Sequence, residues 1–353
     1  MRDLKDAGSE SGMTFYFCYS DHSYRFMNIA IIYSLPTTRA KKSSYLIADE
    51  DTVVSAGKIA SALESKGVTT QLVGISEEYI HQAIHSIHAD LIINLIDWTG
   101  SDLPLSYIAM EELTNCGIPF AGATKENFML VDKVNMKHAL DAHHIPCPTW
   151  QVFTTGDEPI SPTFTFPVLV KLSQDHCSVG IEKTSFVKTK DALRAVVKDR
   201  IRRFSQRVFA EEFVSGREFQ ITVLEEAGGP VMLPPAEIVY KPTGREEFLT
   251  FSERWDENDP DYLRSNTILA ALSNEQILAF ETVCMQTFRE LEFRDFTRID
   301  ARLNTRGELL VLEANPNPGL DDDELYSMTI SARAVGLTFP DFLWKIVESA
   351  MRR

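Results

Sequence analysis

Arg298 and Asp300 stand two residues apart in RIDARL, and Glu313 and Asn315 stand two apart in LEANPNPGL. Residues i and i+2 of a strand share a face. The Thr305–Gly307 turn between the two segments predicts a hairpin that brings Asp300, Glu313 and Asn315 together. Two carboxylates and an amide are hard oxygen donors, the kind that hold Mg²⁺ against phosphate oxygens. Arg298 on the same face offers a cation for an oxyanion or phosphoryl group. A solvated surface hairpin carries such charges too. Against that reading, Val311 and Leu312 make the second strand apolar, and ANPNPG is an odd exit from a plain surface strand.

Lys171 ends the apolar run Pro167–Val170, so it reads as a buried-strand lysine that needs an anion. Lys133, within VDKVNMK, reads on its own as either a phosphate ligand or an exposed helix charge. His81, His85 and His88 fall at helical spacing beside the apolar stripe Ile80, Ile84 and Ile87, which leaves them at the stripe's edge and makes a metal site unexpected. Lys198–Arg203 reads as a solvated basic helix end. There is no GxxxxGK[ST] loop, GxGxxG fingerprint or HExxH motif, which argues against a P-loop or Rossmann cofactor enzyme.

The elements that must position these residues alternate at first. From Met27 the pattern predicts strand Met27–Tyr33, helix Asp51–Lys66, strand Thr70–Ile75, helix Glu77–His88, strand Leu91–Ile96, helix Leu105–Cys116 and strand Ile118–Ala121. That rhythm makes a parallel sheet covered on both faces. A helix Lys125–His144 follows, then strands Pro167–Leu172 and Gly180–Lys183, helix Lys190–Phe204 and strand Val208–Glu212. Beyond Ser215-Gly216 come strands Glu218–Leu224, Val231–Val239, Phe296–Leu303 and Glu308–Glu313, with helices Asn274–Leu291 and Phe339–Met351. The fold class is therefore α/β passing into α+β, in units expected at 27–122, 123–212 and 213–353, after an extension over residues 1–26.

The chain has 353 residues, with 35 Lys and Arg against 51 Asp and Glu, a net charge of −16. A surface that acidic argues against a nucleic-acid backbone or an anionic membrane as partner. Hydrophobic residues at 44% permit large cores, and no apolar run approaches the roughly 18 residues of a membrane span. The five cysteines are scattered and never spaced as CxxC, as expected of reduced thiols in a cytoplasmic protein.

The order of VDKVNMK, FPVLVKLSQDHCSVG, FAEEFVSGREF, RIDARL and VLEANPNPG resembles the ATP-grasp superfamily, in its D-alanine–D-alanine ligase-like branch. The resemblance implies an ATP-grasp fold behind an N-terminal parallel-sheet domain. It implies ATP with Mg²⁺ or Mn²⁺, and amide formation between a carboxylate and an amine through an acylphosphate. Carried over, Lys133 and Lys171 reach the nucleotide phosphates; Ser178 sits in the lid; Glu211, Glu212 and Val214 lie against adenine; and Glu218 binds ribose. Asp300, Glu313 and Asn315 hold the metal, and Arg298 lies over the reacting carbonyl. Small-molecule amino-acid substrates and a homodimer are the family's usual partners.

Departures from the family bear on the substrate. The lid reads QDHCSVG, with His176 and Cys177 in place of small residues; His176 reads either as a general base or, the plainer expectation, as an exposed lid histidine. Asp97-Trp98 and Arg254-Trp255 replace the family's histidine-glycine and lysine-tyrosine. After Gly319 comes Asp321-Asp322-Asp323-Glu324, where the ligases hold the second substrate's carboxylate. Asp97, Arg254, Gly319 and Glu324 are therefore the candidate substrate residues. The acidic run reads either as a solvated turn capping a helix near Leu325 or as a pocket that repels a carboxylate and attracts an amine. Three functions stay open: a ligase acting on D-alanine, the same chemistry on another amino acid or natural-product precursor, and an ATP-binding regulatory protein.

Overall fold

A computed structural model describes residues 27–353; the extension expected over residues 1–26 lies outside the described residues. Strands β1 (Asn28–Ser34), β2 (Thr69–Ile75), β3 (Leu91–Leu95) and β4 (Phe120–Ala121) form a parallel sheet in the order β2-β1-β3-β4. Helix α1 (Leu46–Glu64) covers one face, packing Ala56, Ile59 and Leu63 on Ile29 and Ile31. Helices α2 (Ile80–His85) and α3 (Leu103–Asn115) cover the other through Ile84, Met110 and Leu113. Burial on both faces explains the unbroken apolar run Ile29–Ile32 in β1. Helix α1 starts five residues earlier than its periodicity suggests, and α2 is shorter than expected.

The helix expected at Lys125–His144 is broken into α4 (Lys125–Phe128) and α5 (Lys133–Ala142). Between them Asp132 is extended, at φ −67° and ψ 111°, and its side chain caps the amide of Val134. The same buried carboxylate accepts from Ser173 Oγ and, at 2.9 Å, from Arg207 Nη2. These tertiary bonds outweigh helix propensity, and they put Lys133 at the first turn of α5, facing the next sheet. That sheet is antiparallel, in the order β5 (Trp150–Phe153), β8 (Val208–Glu212), β6 (Val168–Leu172), β7 (Phe186–Val187), with α6 (Lys190–Phe204) packed on it. Gly180–Lys183 is not a strand. Arg200 Nε donates to the Gly180 carbonyl at 2.9 Å, and Glu182 and Ser185 cap each other's backbone. Arg200 is itself buried, paired with Glu182 and Asp199, so the basic helix end is only partly solvated.

The third sheet runs β12 (Ser265–Leu269), β11 (Ala236–Tyr240), β9 (Glu218–Glu226), β13 (Phe296–Leu303), β14 (Leu309–Asn315), with β10 (Gly229–Met232) paired to β9. The strand expected at Val231–Val239 splits because Pro234 and Pro235 supply no amide to a ladder. Helix α8 (Asn274–Glu290) covers the sheet, its Phe280, Cys284 and Phe288 packing on Phe219, Ile221 and Ile299. Gly216, at φ +146°, links the second and third sheets; a Cβ there would lie 2.1 Å from the Leu303 carbonyl oxygen. Helix α7 (Phe251–Trp255) borders the cleft described below, and α9 (Ser327–Ala334) follows the acidic run. Helix α10 (Phe339–Met351) returns to the first sheet, adding Phe342, Leu343 and Ile346 to its core. Among the described residues no helix is long and apolar enough to cross a membrane.

Candidate active site

The β13–β14 hairpin sets Asp300 directly opposite Glu313, and Arg298 opposite Asn315. The register shifts between Asp300 and Ala301, a bulge that bends the strand beside the cleft. Arg298 grips Asp300 with two parallel bonds, Nε to Oδ1 at 2.7 Å and Nη2 to Oδ2 at 2.9 Å. Asn315 Nδ2 stands 3.5 Å from Asp300 Oδ2. Lys133 Nζ lies 3.1 Å from Glu313 Oε2 and donates to the Asp175 carbonyl at 2.8 Å. Burial opposes the charge on Glu313, but Lys133, then Lys171 and Arg298, outweigh it and bring that carboxyl down to about 2. For Asp300 burial prevails over Arg298 and moves the carboxyl up. Two half-buried carboxylates and an amide on one face are a donor set that fits a hard divalent cation.

Lys171 finds its anion on the neighbouring strand. Glu211 lies opposite Leu169 in the β6–β8 ladder, so Lys171 is its diagonal neighbour, and Lys171 Nζ approaches Glu211 Oε1 to 2.6 Å. The other oxygen is held by Lys137, at 2.7 Å. Lys137 is 1% exposed, and sequence reasoning missed it. Its one signal was its place a helical turn after Lys133, on the same face of α5. Burial disfavours the Glu211 carboxylate, yet the two lysines together hold its pKa below the ordinary value.

The remaining nucleotide candidates line the same cleft: Glu212, Val214, Glu218 and Ser178. Glu218 Oε2 accepts from Arg302 Nε at 3.1 Å and from the Tyr240 hydroxyl at 3.0 Å. Arg302 also donates to the Val214 carbonyl, at 2.9 Å. Arg302 and Tyr240 were not singled out in the sequence, because only the ladder of β9 with β11 and β13 brings them to Glu218. Leu169, Ile238, Phe248 and Leu312 give this end of the cleft apolar walls, as a flat aromatic base requires.

The 174–180 loop closes the other end by docking on the first sheet. Gly100 N donates to the Gln174 carbonyl at 2.7 Å, and His176 Nε2 lies 3.0 Å from Asp97 Oδ2. The His176 side chain is only 19% exposed, which corrects the expectation of an exposed lid histidine. Burial disfavours its cation, but Asp97 and then Cys177 outweigh burial and raise its pKa well above the ordinary value. Trp255 Nε1 donates to the Cys177 carbonyl at 3.1 Å, which anchors the loop from the third sheet's side. Asp97, Arg254 and Gly319 line the cleft, joined by Asp51 and Tyr326, which the sequence had not marked.

Glu324 is the exception. Its side chain is 91% exposed, and none of residues 321–324 lines the cleft. Asp321 is buried and takes Lys58 Nζ at 2.7 and 2.8 Å, pinning α1 to the loop ahead of α9. Asp322 pairs with Arg333 at 3.0 Å, and Asp323 accepts from the Leu325 amide at 2.8 Å. The run is therefore spent on pairing with Lys58 and Arg333 and on the turn ahead of α9, outside the cleft, which corrects the expectation of an amine-attracting pocket.

The family model of the D-ala D-ala ligase C-terminus matches residues 140–348. A D-alanine–D-alanine ligase B from Chromobacterium violaceum is 25% identical over 307 residues, covering 85% of this chain and 93% of the relative. A D-alanine–D-alanine ligase from Carboxydothermus hydrogenoformans is 28% identical over 240 residues, covering 65% and 72%. Among solved structures, the D-alanine–D-alanine ligase from Bacillus anthracis complexed with ATP matches with a TM-score of 0.69 at 18% identity, covering 92% of this chain and 98% of that one. A D-Ala:D-Ser ligase from Enterococcus faecalis matches with a TM-score of 0.69 at 17% identity, covering 92% and 99%. These two structures share the fold, and the family model covers more than half of the chain. With the site geometry already described, they place this chain in the D-alanine–D-alanine ligase family of ATP-grasp enzymes, ATP-dependent ligases that form carbon–nitrogen bonds.

Proposed function

We propose that this chain joins the carboxylate of one amino acid to the amine of a second, with ATP consumed to activate the carboxylate. The observation that carries the reading is the convergence of Lys133, Lys171, Arg298, Asp300, Glu313 and Asn315 on one cleft whose far end has apolar walls. ATP lies with its base near Glu211–Val214, its ribose by Glu218 and its phosphates toward Lys133 and Lys171. A substrate carboxylate attacks the γ-phosphorus, giving an acylphosphate and ADP. The amine of the second amino acid then attacks the acyl carbon, and inorganic phosphate leaves.

Asp300, Glu313 and Asn315 would hold the divalent cation, which when bound supplies charge neutralisation at the phosphates. Arg298 holds a positive charge beside the reacting carbonyl; losing a donor of that kind typically costs roughly 3 kcal/mol of barrier. The 174–180 loop, docked through His176 and Trp255, keeps water from the acylphosphate.

The test incubates the protein with ATP, Mg²⁺ and D-alanine, beside D-serine and pools of other D- and L-amino acids, reading phosphate release and product mass. D-alanyl-D-alanine formation is the expected result for a ligase of the family's main kind. A second reading keeps the chemistry and changes the acceptor. It rests on Asp97, His176, Cys177 and Arg254 lining the cleft where the family has other residues. A mixed product and no D-alanyl-D-alanine would select it. Nucleotide binding without turnover in any pool would reject both.

A further inference from the structure

His81 and His85 stand one turn apart on α2, and Glu112 reaches them from α3. Glu112 Oε2 lies 2.8 Å from His81 Nδ1 and 2.9 Å from His85 Nε2, and all three atoms fall within 4.8 Å of one another. The sequence alone left these histidines at the edge of an apolar stripe, because their third partner lies on another helix. His88 is not part of the cluster.

We propose that His81, His85 and Glu112 form a surface site for a divalent transition metal of the zinc class, separate from the ligase cleft. Zinc binds imidazole nitrogen and carboxylate oxygen at roughly 2.0–2.2 Å, so adjacent donors of a tetrahedral site lie about 3.3 Å apart. The two observed nitrogen–oxygen separations are within about half an ångström of that edge. Lengthening both contacts by about half an ångström reaches that edge. Two neutral imidazoles and one carboxylate carry a single negative charge, which suits a divalent cation. Among the described residues, the ion pairs of Glu112 are with these two histidines, so no lysine or arginine occupies the place of the metal.

The supporting framework is well packed. Ile80 and Ile84 on α2 and Leu113 on α3 are buried in one apolar cluster, so the helices hold the ligands in register from beneath. His81 is well exposed and His85 partly so, which leaves an entry path and a fourth position for water. None of the three residues lines the cleft, so this site and the Asp300 set are separable by mutation.

The experiment titrates the full chain with Zn²⁺ in the presence of excess Mg²⁺, by calorimetry and by melting temperature. One zinc equivalent is expected, with a rise in melting temperature. His81→Ala and His85→Ala should each weaken it by about tenfold or more, and Glu112→Gln should weaken it while keeping the side-chain shape. Asp300→Asn should keep it. Absence of a zinc equivalent in the wild type overturns the site. So does wild-type zinc affinity in either histidine variant, or loss of the equivalent in Asp300→Asn, which would place the ion in the cleft.

Discussion

Asp300 and Glu313 face each other across the β13–β14 hairpin, and each already has a cation of its own, Arg298 for the first and Lys133 for the second. Two carboxylates that close would repel each other in a poorly solvated cleft; the flanking cations make the arrangement tolerable. Asp300→Asn keeps the side chain's shape and one acceptor for Arg298 while removing the charge. It is expected to lower turnover by about a hundredfold or more and to shift the Mg²⁺ requirement upward, with circular dichroism unchanged. A variant that turns over like the wild type would remove Asp300 from the metal assignment.

The Lys137–Glu211–Lys171 cluster gives a stability test in which the order of two effects matters. Lys137→Met leaves Lys171 and Glu211 as a neutral buried pair. Glu211→Gln leaves two cations without their counter-ion. Removing one partner of a buried pair costs about 3–5 kcal/mol when a charge is stranded. Glu211→Gln should therefore be the more destabilising of the two in urea unfolding. Equal losses, or the reverse order, would show that Glu211 is not the counter-ion of both lysines.

The hairpin and the lysine strand were legible because their signals are local. Spacing by two places side chains on one face wherever the segment is a strand, and β13 and β14 are strands. What the sequence concealed is decided by contacts from afar. The break at Asp132 depends on Ser173 and Arg207, and the burial of Lys137 depends on a carboxylate on β8. Asp321 looked like part of a solvated acidic run until Lys58 of α1 reached it. The lid histidine is half hidden because a strand end of the first sheet brings Asp97 to it, and nothing local to QDHCSVG announces that partner.

Asp322, Asp323 and Glu324 lie outside the cleft, so neutralising them should leave the choice of acceptor unchanged. A variant carrying Asp322→Asn, Asp323→Asn and Glu324→Gln should keep the wild-type ratio of kcat/KM values among amino-acid acceptors. Asp321→Asn should instead lower stability, since Asp321 is the buried end of the Lys58 pair. A change in acceptor preference in the triple variant would restore the acidic run to the substrate site.

Gly216 cannot carry a side chain without moving the backbone that faces it, because the clash is with the carbonyl oxygen of Leu303 and not with a mobile side chain. Its φ of +146° is also one that L-residues rarely adopt. Gly216→Ala is expected to cost more than about 2 kcal/mol in urea unfolding. Gly228→Ala, with nothing near its Cβ, serves as the control and should differ little from wild type. Similar stabilities for the two variants would mean that the link between the second and third sheets gives way more easily than its geometry indicates.

His176 and Asp97 tie the 174–180 loop to the first sheet with a contact whose strength depends on pH. Asp97, and next Cys177, raise the folded-state pKa of His176 against the opposing effect of burial; Asp49 and Asp175 also act electrostatically on this histidine. A raised folded pKa means the imidazolium is favoured by folding. Its stabilisation is fully present below the unfolded value near 6.5 and is lost as pH rises through the higher folded value. His176→Gln should therefore be less stable than wild type at about pH 6, and the difference should shrink as pH rises through the alkaline range. Urea unfolding of both proteins across that range checks it. A difference that stays flat or widens with pH would mean that the loop is held by its backbone bonds to Gly100 and Trp255 and not by the charge of His176.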